Sequence, residues 1–284
     1  KTILKYNDFV SVKANWVDKV TNIKEISKEL NLGLNSFIFV DDSNFEINHV
    51  KETLPEVYTI QVPIDQVHNY PKYLENEINK LIDVKNNSNE DRNKTKMYLI
   101  ENKRVQQKSK FKSIQEYINS LGIEIKISKY NSKFLNRTSQ LFQKTNQFHS
   151  SLKRFNEKDI INLTKRKNNQ IYLGEVSDKF GNSGITLLAH IIVDNKNEIK
   201  IDSIIMSCRV FGRELEKVFL SSILKKNYKN FKSCKIKFIK GPKNFLVKEF
   251  LCDFGFKVIK HDNFILDLKN VYNTKNLKIN CKWN

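Results

Sequence analysis

The stretch Phe37-Ile38-Phe39-Val40-Asp41-Asp42-Ser43 limits what this chain can fold into more than any other. Four apolar residues in succession, with no polar alternation, predict a strand buried on both faces. Asp41 and Asp42 then fall at its carboxyl end, the edge at which open α/β sheets take their ligands. Adjacent carboxylates repel each other, and a hard cation such as Mg²⁺ is their usual partner. The competing reading is a solvated turn in which Asp42 or Ser43 caps the following helix. The dipeptide by itself favours the turn.

Neighbouring segments build an α/β unit around this strand. Lys19 opens a stretch of helical period in which Ile23, Ile26, Leu30 and Leu32 are apolar; Asn31 and Gly33 close it. Ser43 to Thr53 predicts a second helix with Phe45, Ile47 and Val50 inward, stopped by Pro55. The β-branched run Val57 to Val62 predicts the next strand. Upstream, Phe9 to Val12 predicts a short strand, and Trp16 is expected to pack inward. His49 and His68 have no ligand spacing and read as surface residues.

Charge divides the chain. The net charge is +19, yet residues 1–88 sum to −3 and the remainder to +22. A change of sign marks a domain boundary, and the polar run Asp83 to Asn93 lies at it. A long charged helix is expected from about Glu90 to Leu121, ended by Gly122. The basic part calls for an acidic partner, either an acidic carrier protein or nucleic acid. Its aromatics sit at core positions and form no stacking platform, which argues against nucleic acid. No apolar run approaches the roughly 20 residues that cross a bilayer. Four scattered cysteines with no Cys-x-x-Cys pair predict reduced thiols, a cytoplasmic setting and no zinc site.

Beyond Gly122 the predicted elements are a strand at Glu124–Ile127, a helix at Lys133–Phe148, and a short helix at Asp159–Lys165. Three strands follow at 171–176, 185–193 and 199–208, then a helix at Arg213–Lys226. A strand at 235–239, a helix at 244–254 and a strand near 263–268 complete the order, which looks like a GNAT-type acyltransferase fold. Arg209-Val210-Phe211-Gly212-Arg213 joins the third of those strands to its helix, and its free N–H groups suit a ligand phosphate.

These motifs together resemble the FkbH-like proteins, subfamily IIIC of the haloacid dehalogenase (HAD) superfamily. The resemblance rests on Asn15–Ile23, Leu30–Leu34, Phe39–Ser43 and Leu54–Val57, and then on Gln143–Phe148, Ser177–Gly184 and Ser207–Arg213. It covers the chain to about residue 268. It implies an α/β chain with four parts: the C-terminal half of a HAD-like Rossmannoid parallel sheet (1–88), a helical linker (89–122), a GNAT-like acyltransferase-type domain (123–270) and a C-terminal tail (271–284). By the same resemblance Lys19 neutralises a phosphoryl group and Asp41 and Asp42 hold Mg²⁺. The family's nucleophile, in Asp-x-Asp-x-Thr/Val, matches no segment here, so the chain is expected to be a fragment that lacks it.

The implied activity of the intact protein is transfer of a glyceryl unit from 1,3-bisphosphoglycerate to an acyl carrier protein, with release of phosphate. The product would serve polyketide or polysaccharide synthesis. Asn146, Gln147, Arg209, Gly212 and Arg213 are the residues expected to meet the substrate or the carrier arm; Asn146 and Gln147 alternatively cap a helix. GNAT enzymes grip the acyl-CoA pyrophosphate through Arg/Gln-x-x-Gly-x-Gly/Ala. Glu214 stands at the last position here, and a carboxylate there opposes a diphosphate. The expected ligand is therefore carrier-borne phosphopantetheine, with one phosphate, in preference to free CoA. Leu251 stands where many GNAT enzymes have an acidic Tyr. Cys208 reads as a buried hydrophobe ahead of an activated thiol. The rival readings are a Mg-dependent phosphatase of small metabolites with a degenerate acyltransferase domain, and a non-enzymatic basic binding module.

Overall fold

The computed structural model describes residues 4–30, 32–81, 99–101, 103, 104, 107, 108, 110–193 and 197–284. The chain divides into two compact units, Lys1–Lys103 and Arg104–Asn284.

The first unit is a βαβ element with helices beside it. Helix α1 (Lys19–Leu30) begins where the Asp18 carboxylate accepts the Thr21 N–H at 2.8 Å. Strand β1 (Ile38–Asp41), helix α2 (Asn44–Thr53) and strand β2 (Tyr58–Gln61) follow, then α3 (Tyr70–Leu81). Ser43 is the N-cap of α2 and accepts from Glu46 N. β1 and β2 pair in parallel from Ile38↔Tyr58 to Asp41↔Gln61. Val20 and Ile23 of α1 pack with Val50, Leu54 and Val57.

Four expectations for this unit are corrected. β1 is not buried on both faces: α1 and α2 pack on the side of Phe37 and Phe39, and Val40, which points to the other side, is 38% exposed. Phe45 is 75% exposed and stacks on His49. The buried stripe of α2 is Ile47, Val50 and Leu54, and a residue two before Ile47 lies far round the helix. Trp16 is fully exposed. Asn15 Oδ1 accepts from Val17 N and Asn22 Nδ2, and that local turn directs the indole outward. Phe9 to Val12 forms no strand and follows a 3₁₀ turn at Tyr6–Asp8.

The expected long helix from Glu90 falls partly on 82–98, outside the described residues. Of the described residues, 99–101, 103, 104, 107 and 108 are helical as expected, the helix is broken at 110–113, and α4 (Ile114–Ser120) follows. Ser113 caps it by accepting from Glu116 N at 3.1 Å. Ser-x-x-Glu is a helix-start signal, and it interrupts the helical period that runs through it.

The second unit is an eight-stranded mixed sheet in the order β10-β3-β4-β5-β6-β7-β9-β8. Its strands are β3 (Glu124–Lys129), β4 (Asn169–Asp178), β5 (Gly181–Val193), β6 (Glu198–Met206), β7 (Ser233–Lys237), β8 (Lys257–Lys260), β9 (Asn263–Asp267) and β10 (Asn280–Trp283). Its helices are α5 (Leu135–Lys144), α6 (Glu157–Thr164), α7 (Leu215–Asn227) and α8 (Phe245–Phe254). β3 to β6 are antiparallel neighbours, β6 and β7 are parallel, and β7–β9–β8 is antiparallel. The segment expected as a tail holds β10, which pairs in parallel with β3. One face of the sheet packs against α4, α7 and α8; the other takes α5 and α6 through Leu141, Phe142 and Ile160. α7 comes so close to β4 that a Cβ on Gly174 would lie 3.0 Å from both Phe219 Cε2 and Leu187 Cβ.

Candidate ligand site at the parting of β6 and β7

β6 and β7 pair only from Glu198↔Ser233 to Ile201↔Ile236. At that point the register of β5 on β6 shifts: His190 faces Ser203 while Ile191 faces Ile201, so Asp202 is an extra residue. A bulge bends its strand and disrupts the ladder. From Asp202 to Met206, β6 runs on without β7 beside it. This is the carboxyl end of the two parallel strands, where α/β sheets hold ligands.

The chain fills this parting with its own segment. Ser150 N donates to Ile204 O at 3.1 Å and Met206 N to Phe148 O at 3.0 Å; on the other side Ile239 N donates to Ser150 O at 2.8 Å. Phe148–Ser151 is thus wedged between β6 and the end of β7. Asn244 is fully buried and clamps the wedge: its Nδ2 donates to His149 O and Ile239 O, and its Oδ1 accepts from Gly241 N. Ser151 and Ser203 share a 2.7 Å hydroxyl hydrogen bond. His149 Nε2 donates to Lys153 O at 3.0 Å, and its Nδ1 accepts from Leu152 N at 3.1 Å. That pattern requires a neutral ring, and burial pushes the His149 pKa down to about 4. Burial works against ionisation of Asp202, but hydrogen bonds from His190 and Lys153 outweigh it and hold the carboxyl below its usual range.

The loop after β6 leads to α7. Cys208–Val210 is a 3₁₀ turn. Gly212 has φ +71° with open space where a Cβ would stand. Glu214 also adopts a left-handed conformation, φ +55°, which an L residue with a side chain disfavours. Its carboxylate bonds Lys217 Nζ at 3.1 Å. Burial pushes the Glu216 carboxyl up to about 7, and its Oε2 has no hydrogen-bond donor among the described residues. The start of α7 therefore carries Glu214, paired with Lys217, and a Glu216 carboxyl that burial holds toward its neutral form.

The five residues expected around the carrier arm part company. Arg209 is half-buried, with Nε 3.4 Å from Ser207 Oγ, and it and Gly212 stay at the loop. Arg213 turns into the core, 2% exposed, with Nη1 3.8 Å from Asp178 Oδ2. Arg104 grips the same carboxylate with two bonds of 2.7 and 2.8 Å. The Ser177–Gly184 connection thus carries the anion of a buried ion triad. Asn146 is exposed and its Oδ1 accepts from Arg154. Arg154 in turn donates to the carbonyls of Phe142, Gln143 and Thr145, which closes the C-terminus of α5. Gln147 is half-buried just before the wedge. Leu251 is fully buried, and Cys208 is half-buried.

In the first unit, Lys19 is exposed at the start of α1, Asp41 closes β1 and Asp42 follows it. Asp41 Oδ1 accepts from Ser43 N at 2.9 Å, a local turn. Among the described residues no group of three His, Cys, Asp or Glu side chains is placed to hold a metal ion. Two carboxylates, one already engaged by a backbone N–H, do not make a complete Mg²⁺ site by themselves. A separate cavity of about 520 Å³ lies beside α8, lined by Phe238, Lys240, Phe245, Lys248 and Cys252 among others. No helix among the described residues is long and apolar enough to cross a membrane.

No protein-family model and no curated protein matches the chain. Solved structures of GNAT acetyltransferases superpose on about half of it. An acetyltransferase of the GNAT family from Staphylococcus aureus Mu50 covers 51% of this chain and 99% of its own, at 16% identity and a TM-score of 0.40. The ribosomal-protein-S18-alanine N-acetyltransferase from Escherichia coli covers 54% and 98%, at 11% identity and 0.40. The PaiA N-acetyltransferase from Thermoplasma acidophilum, in complex with coenzyme A, covers 50% and 96%, at 15% identity and 0.38.

Proposed function

We propose that this chain serves acyl transfer, its second unit receiving an acyl group on a phosphopantetheine arm. The observation that carries the reading is the parting of β6 from β7 at the Asp202 bulge, with the Ser207–Glu214 loop opening from the end of β6 onto the start of α7. The wedge takes up the hydrogen-bonding edge of β6, so the arm lies over the wedge and is not added as a strand. Arg209 and the loop N–H groups around Gly212 meet one phosphate, while the Glu214 carboxylate disfavours the second phosphate of CoA.

The sequence resemblance extends this reading to the whole enzyme. A carrier thiol attacks the acyl phosphate of 1,3-bisphosphoglycerate; the thioester bond forms as the acyl–phosphate bond breaks, the thiol proton passes to the departing inorganic phosphate, and the product is a 3-phosphoglyceryl thioester. Water then hydrolyses the C3 phosphoester, a second inorganic phosphate leaves, and the glyceryl thioester remains. Lys19, Asp41 and Asp42 belong to the phosphate-handling half, and the described residues do not complete a site for Mg²⁺.

The test is calorimetric titration of the chain with 4′-phosphopantetheine and with CoA. Phosphopantetheine is expected to bind at least as tightly as CoA, and Glu214→Gly to shift the preference toward CoA several-fold. Binding of neither ligand, or tighter binding of CoA to the unaltered chain, overturns the reading.

A further inference from the structure

Among the described residues of the second unit, α5 and α6 pack on one face of the sheet beside β4, β5 and β6, and no helix packs on the same face of β7, β9 and β8. Strand alternation puts Ile199, Cys234, Ile236, Phe264 and Leu266 into the core on one side and the intervening residues on the other. Register then aligns those residues across strands. Lys200 stands opposite Lys235, Lys235 opposite Ile265, and Ile265 opposite Lys257. One step along, Lys237 stands opposite Asn263 and Asn263 opposite Lys260. All five lysines are exposed. Neighbouring strands lie about 4.8 Å apart and same-face residues about 6.7 Å apart along a strand, so five ammonium groups share a flat patch. Glu198 neutralises part of it through a 2.8 Å contact with Lys235. Ile265 is half-buried in the middle of the rows, and Ile259, the extra residue between Val258 and Lys260 on the edge strand, is 56% exposed; Val258 stands opposite Phe264 and belongs to the other face.

We propose that this face docks an acidic amphipathic helix on the surface of a partner protein. A helix with carboxylates on both flanks of a short apolar strip complements lysine rows that bracket Ile265. Single-stranded nucleic acid is the weaker fit, because the lysine rows hold no aromatic ring for base stacking; duplex DNA is the competing occupant that the experiment tests. In naming the partner as the carrier protein, the inference rests on the functional reading above; the patch itself stands on register and charge.

The experiment titrates the chain with a holo acyl carrier protein and, separately, with random-sequence duplex DNA, at two salt concentrations. The comparison is with the variant Lys200→Glu, Lys235→Glu, Lys257→Glu and Lys260→Glu. Every position is exposed, and circular dichroism confirms folding before titration. The expected result is salt-sensitive carrier binding that falls at least tenfold in the variant, with affinity for free 4′-phosphopantetheine unchanged. Carrier affinity that is equal in both proteins overturns the docking face and leaves the functional reading standing. Tighter binding to DNA than to the carrier, lost in the variant, overturns the helix as occupant. If the carrier does not bind at all, the docking proposal fails. Loss of phosphopantetheine binding by the unaltered chain counts against the functional reading instead.

Discussion

Asp178→Asn removes one negative charge from the core of the second unit and changes almost nothing in shape. Asp178 is 1% exposed at its side chain, Arg104 is 3% and Arg213 is 2%. Arg104 contributes bonds of 2.7 and 2.8 Å, and Arg213 an ion pair at 3.8 Å. The substitution leaves two buried guanidinium groups facing a neutral amide. At about 4 Å and an effective dielectric near 20, each unit-charge attraction is about 4 kcal/mol before desolvation is counted. Breaking a buried pair from one side costs about 3–5 kcal/mol. For a unit of this size, each kcal/mol lowers the melting temperature by about 2–4 °C. The melting temperature should therefore fall by about 6–20 °C, read by circular dichroism with a urea titration alongside. Glu198→Gln, which breaks the exposed Lys235 pair, should cost less than about 1 kcal/mol under the same conditions. Arg104→Met with Asp178→Leu and Arg213→Met should recover most of the loss, because an apolar triad of similar volume has no charge to leave unpaired. A loss from Asp178→Asn no greater than that of the surface control would refute the electrostatic argument. A triple variant as unstable as the single one would move the cost to packing.

Gly174→Ala should destabilise the second unit by about 1–3 kcal/mol in urea unfolding, since its Cβ meets Phe219 and Leu187 at 3.0 Å. Asn244→Ala removes three hydrogen bonds that hold the wedge, at about 1 kcal/mol each. Amide exchange at Ile239 and Met206 should quicken in it ahead of exchange in β4. His149 has a folded pKa of about 4 against an ordinary 6.5. Its stabilising contribution is complete above pH 6.5 and disappears as pH falls through about 4; His149→Gln should flatten that limb of a stability–pH curve. Glu216 has the opposite sign, with its pKa raised to about 7 by burial. Its contribution is present below the ordinary carboxylate range and lost as pH rises through about 7, so Glu216→Gln should lose less stability between pH 5 and 8 than the unaltered chain.

Local chemistry determined much of this protein from the sequence by itself. Period-two alternation at Glu124–Ile127 and the Ser43 cap each act within a few residues, and the elements stand at those places; the strand expected at 199–208 stands at Glu198–Met206, two residues short of its expected end. The Ser113-x-x-Glu116 cap was equally legible and outranks the longer helical period around it. Tertiary structure decided what depends on partners distant in the chain. Phe45 and Trp16 are apolar by type, yet each is turned outward by where its neighbours pack or bond. Arg213 and Arg209 lie in one motif; only the arrival of the Asp178 carboxylate draws Arg213 into the core. The parting of β6 and β7 follows from an extra residue at Asp202, which is defined by the register of β5, and its closure by Phe148–Ser151 follows from backbone groups more than 50 residues apart. Backbone hydrogen bonds carry no side-chain signature, so no composition or spacing marks the residues that make them.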